Sequence, residues 1–213
     1  MAAAWDLIVI NLLTLVTCIP VITIGASLTA MYHVLIKRIR GEESYISRDF
    51  FRAFRSNFVQ STILWLMAAA LIISFRADLF IIRENPQILG TGVRIAVYVA
   101  AIICFMIWQF VFPLQSHFEN PVLITLKNAV ILAISRFFPS TLVMSAVWIV
   151  PWLLFRYSMM AFPLLLLFGI SLPGFICAKM ADRVFRPFEP EKEAEDDAAF
   201  AMSEEELTKF KEE

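Results

Sequence analysis

Apolar residues fill the chain in long blocks separated by short polar joints. Five blocks read as membrane spans, at about 7–24, 61–75, 93–112, 140–155 and 162–177. A hydrocarbon core about 30 Å thick takes roughly 20 apolar residues in helical form, and the blocks approach that length. The pattern predicts an all-α polytopic membrane protein: one membrane domain over 1–188, then a tail at 189–213.

The first block sets the plan. It starts at Leu7, passes Pro20 and the small run Gly25, Ala26 and Ser27, and reaches Lys37, Arg38 and Arg40. Proline removes a backbone donor and clashes with the preceding turn, so a kinked or broken span is expected at Pro20. Gly25, Ala26 and Ser27 then let a second helix approach closely, as small residues do inside bilayers. The segment is expected to leave the membrane at its cationic end.

Two other stretches have a different rhythm. Over 47–60, Phe50, Phe51, Phe54 and Phe58 share one helical face, with Arg48, Arg52 and Arg55 on its flank. That is the pattern of an interfacial amphipathic helix, with rings at the acyl boundary and guanidinium groups at phosphates. Arg48, Phe50, Phe51, Arg52, Phe54 and Arg55 are therefore the expected contacts with anionic lipid. The plainer reading is a helix packed on protein with its arginines hydrated. Residues 121–138, with Lys127 and Arg136, form a second surface-type helix.

Charge then orients the chain. Residues 1–188 carry 15 Lys/Arg against 8 Asp/Glu, and the tail carries 3 against 11. With the N-terminus outside and the C-terminus cytoplasmic, the inner segments before the tail hold 11 Lys/Arg and the outer loops hold 4. The positive-inside rule favours that arrangement in a bacterial cell membrane. A weak repeat accompanies it, since NFVQSTIL from Asn57 and RFFPSTLV from Arg136 open returning spans alike. The opening MAAAWDL has no cation before its apolar run, so the first block is expected to be a retained span and not a signal peptide.

Candidate chemistry is sparse. Cys18, Cys104 and Cys177 are widely spaced inside apolar blocks, which fits buried small hydrophobes and neither a disulfide framework nor a zinc site. No GxxxxGK[ST], HExxH or GxSxG pattern occurs. No enzyme activity, cofactor or metal is expected, and the surface arginines suit anionic lipid better than nucleic acid. His33 and His117 both follow inbound blocks, and with Gln115, Asn120 and Asn128 they are the candidate lining of a cytoplasmic vestibule. Polar groups at such depth usually face a bundle interior or a cavity. The plainer alternative places both histidines, hydrated, at the interface.

The opening sixty residues carry a resemblance. Pro20, Thr23-Ile24-Gly25-Ala26-Ser27, Thr29-Ala30, Tyr45-Ile46, Phe50-Phe51, Phe54 and Asn57-Phe58 resemble the YesL family of bacterial membrane proteins, a domain of unknown function. Leu126-Lys127-Asn128-Ala129 and Leu172-Pro173 fit more loosely. The resemblance implies a small polytopic protein of Gram-positive bacteria, encoded near sugar-binding proteins, sugar permeases and polysaccharide-degrading enzymes. The expectation is a non-enzymatic accessory to ABC-type carbohydrate uptake or its regulation. Its expected partners are anionic lipid, sugar permease subunits and further copies of itself in a homo-oligomer. The alternative is a small transporter or channel in its own right, as a homodimer.

Overall fold

In the computed structural model, residues 2–42, 45–84, 91–118, 121–135, 142–157 and 162–185 are described. The described elements are helical: α1 (Ala2–Thr17), a 3-10 turn (Val21–Thr23), α2 (Ile24–Ile39), α3 (Ile46–Ser56) and α4 (Phe58–Glu84), then α5 (Thr91–His117), α6 (Val122–Ser135), α7 (Leu142–Tyr157), α8 (Phe162–Phe168) and α9 (Ser171–Phe185). The chain divides into two units, Met1–Ala181 and Asp182–Glu213. Of the second unit, only the last turn of α9 is described. The acidic tail at 189–213, Asn120 and the repeat residues at 136–141 lie outside the described residues.

The first block does not run on as one kinked span. α1 ends at Thr17, and the chain turns over at Pro20. Arg38, in the last turn of α2, donates to Asp6, in the second turn of α1. The start of α1 and the cationic end of α2 therefore lie on one side, and the two helices form a hairpin. The sequence pattern sets these at opposite ends of one segment, and the hairpin brings them together. Its physical basis is local, because Pro20 cannot continue the helix and the polar groups freed there are met nearby. The Thr23 hydroxyl lies 2.5 Å from Thr17 O and 2.7 Å from Pro20 O, and the Cys18 amide still reaches Thr14 O. In hydrocarbon no water would serve these groups. At 16 residues each, both arms are about 24 Å long, short of a full crossing. The tip is apolar and open, with Ile19 77%, Val21 67% and Ile22 59% exposed.

α4 and α5 have 27 residues each and are long and apolar enough to cross a membrane, by length and composition. At about 40 Å they exceed the hydrocarbon, and most of their surface is unburied. Pro113 lies inside α5, which continues to His117.

α2 is the inner helix. Met31, Val34 and Leu35 are fully buried. A Cβ built on Gly25 would lie 2.2 Å from Ser61 O and 2.7 Å from Trp65 Cβ, so α2 and α4 meet backbone to backbone. One turn later Thr29 and Ser61 share a 2.8 Å hydrogen bond. A Cβ built on Gly174 of α9 would lie 2.7 Å from Met31 Cε, the methyl carbon on Sδ.

α3 lies against α2. Phe50 and Ala53 are buried, Phe51 faces outward at 43% exposure, and Arg48, Arg52 and Arg55 are exposed. Phe50 therefore belongs to the core and not to a lipid face. It stacks at 6.5 Å on Phe54, which tilts at 5.6 Å against Phe58 of α4. The stripe is split because one side of the helix serves packing. α6 is apolar on its open side, with Leu123 79% and Ile134 73% exposed. Lys127, four residues after Leu123, is also exposed there.

The last apolar block breaks at Gly169-Ile170, and Pro173 falls in the first turn of α9, where a missing N–H costs little.

Candidate functional site

Two buried amides organise the polar groups. The first is Asn11, fully buried in α1. Its Nδ2 donates to Leu166 O at 2.7 Å, and its Oδ1 accepts from the Ile170 and Ser171 amides at 3.0 and 2.9 Å. One side chain thereby serves both ends of the α8–α9 break. Helix ends leave unpaired carbonyls and amides, and in an apolar setting each must find a partner.

The second is Gln115, 1% exposed, near the end of α5. Its Nε2 donates to Gln60 Oε1 at 2.5 Å and, more weakly, to Asn57 Oδ1 at 3.3 Å. Its Oε1 accepts from Thr125 Oγ1 at 2.8 Å. A glutamine amide has two donors and two acceptor positions, and three of the four are filled here. The network joins α5 and α6 to the start of α4.

His33 lies beside this network. Its Nδ1 is 3.1 Å from Ser116 O, and a carbonyl can only accept, so Nδ1 carries the proton. Ser116 Oγ donates to Pro113 O at 2.7 Å. His117 sits one residue further, its ring edge-on to Phe118 at 4.6 Å. The structure thus brings His33 near the Gln115–His117 segment, as expected. His33 bonds there to a backbone carbonyl, and Gln115 to side chains of other helices. Asn128 is half-buried on α6.

Charged groups gather at the outer end of α2. Lys37 Nζ lies 3.7 Å from Asp49, in the first turn of α3, where a carboxylate also suits the helix dipole. Arg48, Arg52 and Arg55, with Phe51 and Ser56, form a shallow basic concavity on the far side of α3. Among the described residues these arginines form no ion pair. No group of three metal-ligating side chains occurs among the described residues.

Gly25, Ala26 and Ser27 do the packing expected of them. All three are buried, and Ser27 Oγ donates back to Thr23 O at 2.9 Å. Asn11, Asn57, Gln60 and Thr125 were not singled out from the sequence. Their signal was present, since an Asn or Gln within an apolar block is a candidate for interhelical bonding.

Comparison with curated proteins gives no match, and comparison with solved structures gives none. Residues 7–79, which run from α1 through most of α4 and hold Asn11, Gly25, His33, Asn57 and Gln60, match the model of a family described as a protein of unknown function, DUF624.

Proposed function

We propose that this chain is a non-enzymatic membrane protein of the YesL type, accessory to ABC-type carbohydrate uptake in a Gram-positive cell membrane. The observation that carries this reading over a transporter is the engagement of Gln115, three of whose four hydrogen-bonding positions are taken by protein groups. Its amide is spent on Gln60, Asn57 and Thr125. A solute at Gln115 would have to displace Gln60, Asn57 and Thr125, and one at His33 the Ser116 carbonyl.

The topology that goes with it has a re-entrant α1–α2 hairpin. Asp6 and the Lys37–Arg40 cluster share the cytoplasmic side, α4 and α5 cross, and α7 with the α8–α9 pair makes the remaining crossings. That gives four crossings and one hairpin in place of five spans. The cation count by compartment is unchanged, because no Lys or Arg precedes Lys37. α3 then lies at the cytoplasmic surface with Arg48, Arg52 and Arg55 outward, available to anionic lipid or to an acidic patch of a permease subunit.

Affinity purification from membranes of cells grown on inducing sugars tests the role. Permease or binding-protein subunits should co-purify, and their absence under every sugar would reject it. Sugar or ion flux through the purified protein in liposomes would favour the transporter reading.

A further inference from the structure

A groove runs between α4 and α5 at the end away from α3. Its deep part is a cavity of about 530 Å³ with an almost wholly apolar wall, including Leu71, Phe75, Ala101 and Phe105. Tyr32 of α2 and Trp148 of α7 close its back. Arg76, Leu79 and Tyr98 belong both to this cavity and to a second hollow of about 600 Å³ beside it. The second hollow adds Arg83 and Arg94. The two are one continuous groove, apolar within and triply cationic at the mouth.

The spacing explains the arrangement. Arg76, Leu79, Phe80 and Arg83 recur at i, i+3, i+4 and i+7, so they share one face of α4. Arg94 and Tyr98 are one turn apart on α5. From Trp65, at the inner end, to Arg76 is about 16 Å along the helix, close to the roughly 15 Å depth of one leaflet in a 30 Å core. All three arginines are exposed, and none has an ion-pair partner among the described residues. The two carboxylates of this end, Asp78 and Glu84, do not line the hollow.

We propose that this groove binds one anionic phospholipid of the leaflet opposite α3. The acyl chains lie in the apolar part, and the phosphate sits among Arg76, Arg83 and Arg94. Guanidinium groups suit phosphate through paired, charge-assisted hydrogen bonds. A second copy of this chain is a poorer occupant, because it would bring cations to a cationic mouth. The proposal rests on the membrane setting and not on the accessory role.

Three of the five tryptophans, Trp65, Trp108 and Trp148, line the groove, which supplies the assay. The purified full chain in detergent is titrated with phosphatidylglycerol or phosphatidylcholine, each with brominated acyl chains, and tryptophan quenching is followed. Half-maximal quenching should need at least about tenfold less phosphatidylglycerol. Arg76→Gln with Arg94→Gln should bring the ratio to about twofold or below. Lys127→Gln, at an exposed position of α6 outside the groove, should leave it unchanged. Ala101→Phe should weaken quenching by both lipids, which tests the cavity if the arginine variant fails to fold. Equal quenching by the two lipids, or selectivity that survives the Arg76/Arg94 change, would overturn the proposal. So would full displacement of the lipid by glycerol 1-phosphate, which would mark a site for free phosphate.

Discussion

Replacing Gly25 with alanine is the sharpest test of how α2 is held. The added Cβ would sit 2.2 Å from Ser61 O and 2.7 Å from Trp65 Cβ. Carbon and oxygen approach comfortably at about 3.3 Å, so α2 must withdraw from α4 by about 1 Å. The obstacles are a backbone carbonyl and a Cβ, which no rotamer change can move. A withdrawal of 1 Å would take the 2.8 Å Thr29–Ser61 bond past hydrogen-bonding range. Overpacking costs about 1–3 kcal/mol, and an interhelical bond in lipid about 0.6–1.7 kcal/mol. The expected loss is therefore about 2–4 kcal/mol, or a fall in Tm of roughly 5–15 °C for a chain of this size. Thermal unfolding in mild detergent, followed by tryptophan fluorescence, measures it. Gly92→Ala is the control, because nothing lies within 4 Å of the Cβ position there and alanine is the better helix former. It should leave Tm unchanged or slightly raised. A Gly25→Ala protein that melts within 2 °C of wild type would refute the close approach.

Asn11→Leu should cost about 2–4 kcal/mol in the same melt, because it strands the Ile170 and Ser171 amides at the head of α9 at about 1–3 kcal/mol per buried group; a loss under 0.5 kcal/mol would mean those amides have other partners. Gln115→Leu should cost about 2 kcal/mol, and combining it with Gln60→Leu should cost at least about 0.6 kcal/mol less than the two single losses added together, since both ends of the 2.5 Å bond are then gone; strict additivity would show that the two amides do not interact. Arg48→Gln with Arg52→Gln and Arg55→Gln should leave Tm within about 2 °C, as the three are exposed, while lowering recovery of any acidic partner; a large fall in Tm would make them structural.

The sequence disclosed some of this and hid the rest for identifiable reasons. Helical class, the α4 and α5 blocks and the packing role of Gly25-Ala26-Ser27 follow from composition and spacing, and the structure agrees. The reversal at Pro20 was not visible. A proline in an apolar run reads equally as a kink or as a turn, and only the Asp6–Arg38 pairing distinguishes them. Charge counting could not help, since the first cation is Lys37. Phe50 shares a stripe with Phe51, yet one is buried and the other open, because helical period gives a face but not what covers it. His33 Nδ1 lies 3.1 Å from the carbonyl of Ser116, the residue after Gln115. The engagement of Gln115 by Gln60, Asn57 and Thr125 depends on three-dimensional neighbours that no periodicity reports.

The hairpin is the claim on which the topology turns, and single-cysteine labelling tests it most directly. In a variant lacking Cys18, Cys104 and Cys177, Trp5→Cys and Glu42→Cys are probed in cells and in inverted vesicles with a membrane-impermeant maleimide, with Ile22→Cys at the tip as reference. The account expects positions 5 and 42 to label only from the cytoplasmic face and position 22 from neither. Labelling of position 5 from outside while position 42 labels from inside would contradict it.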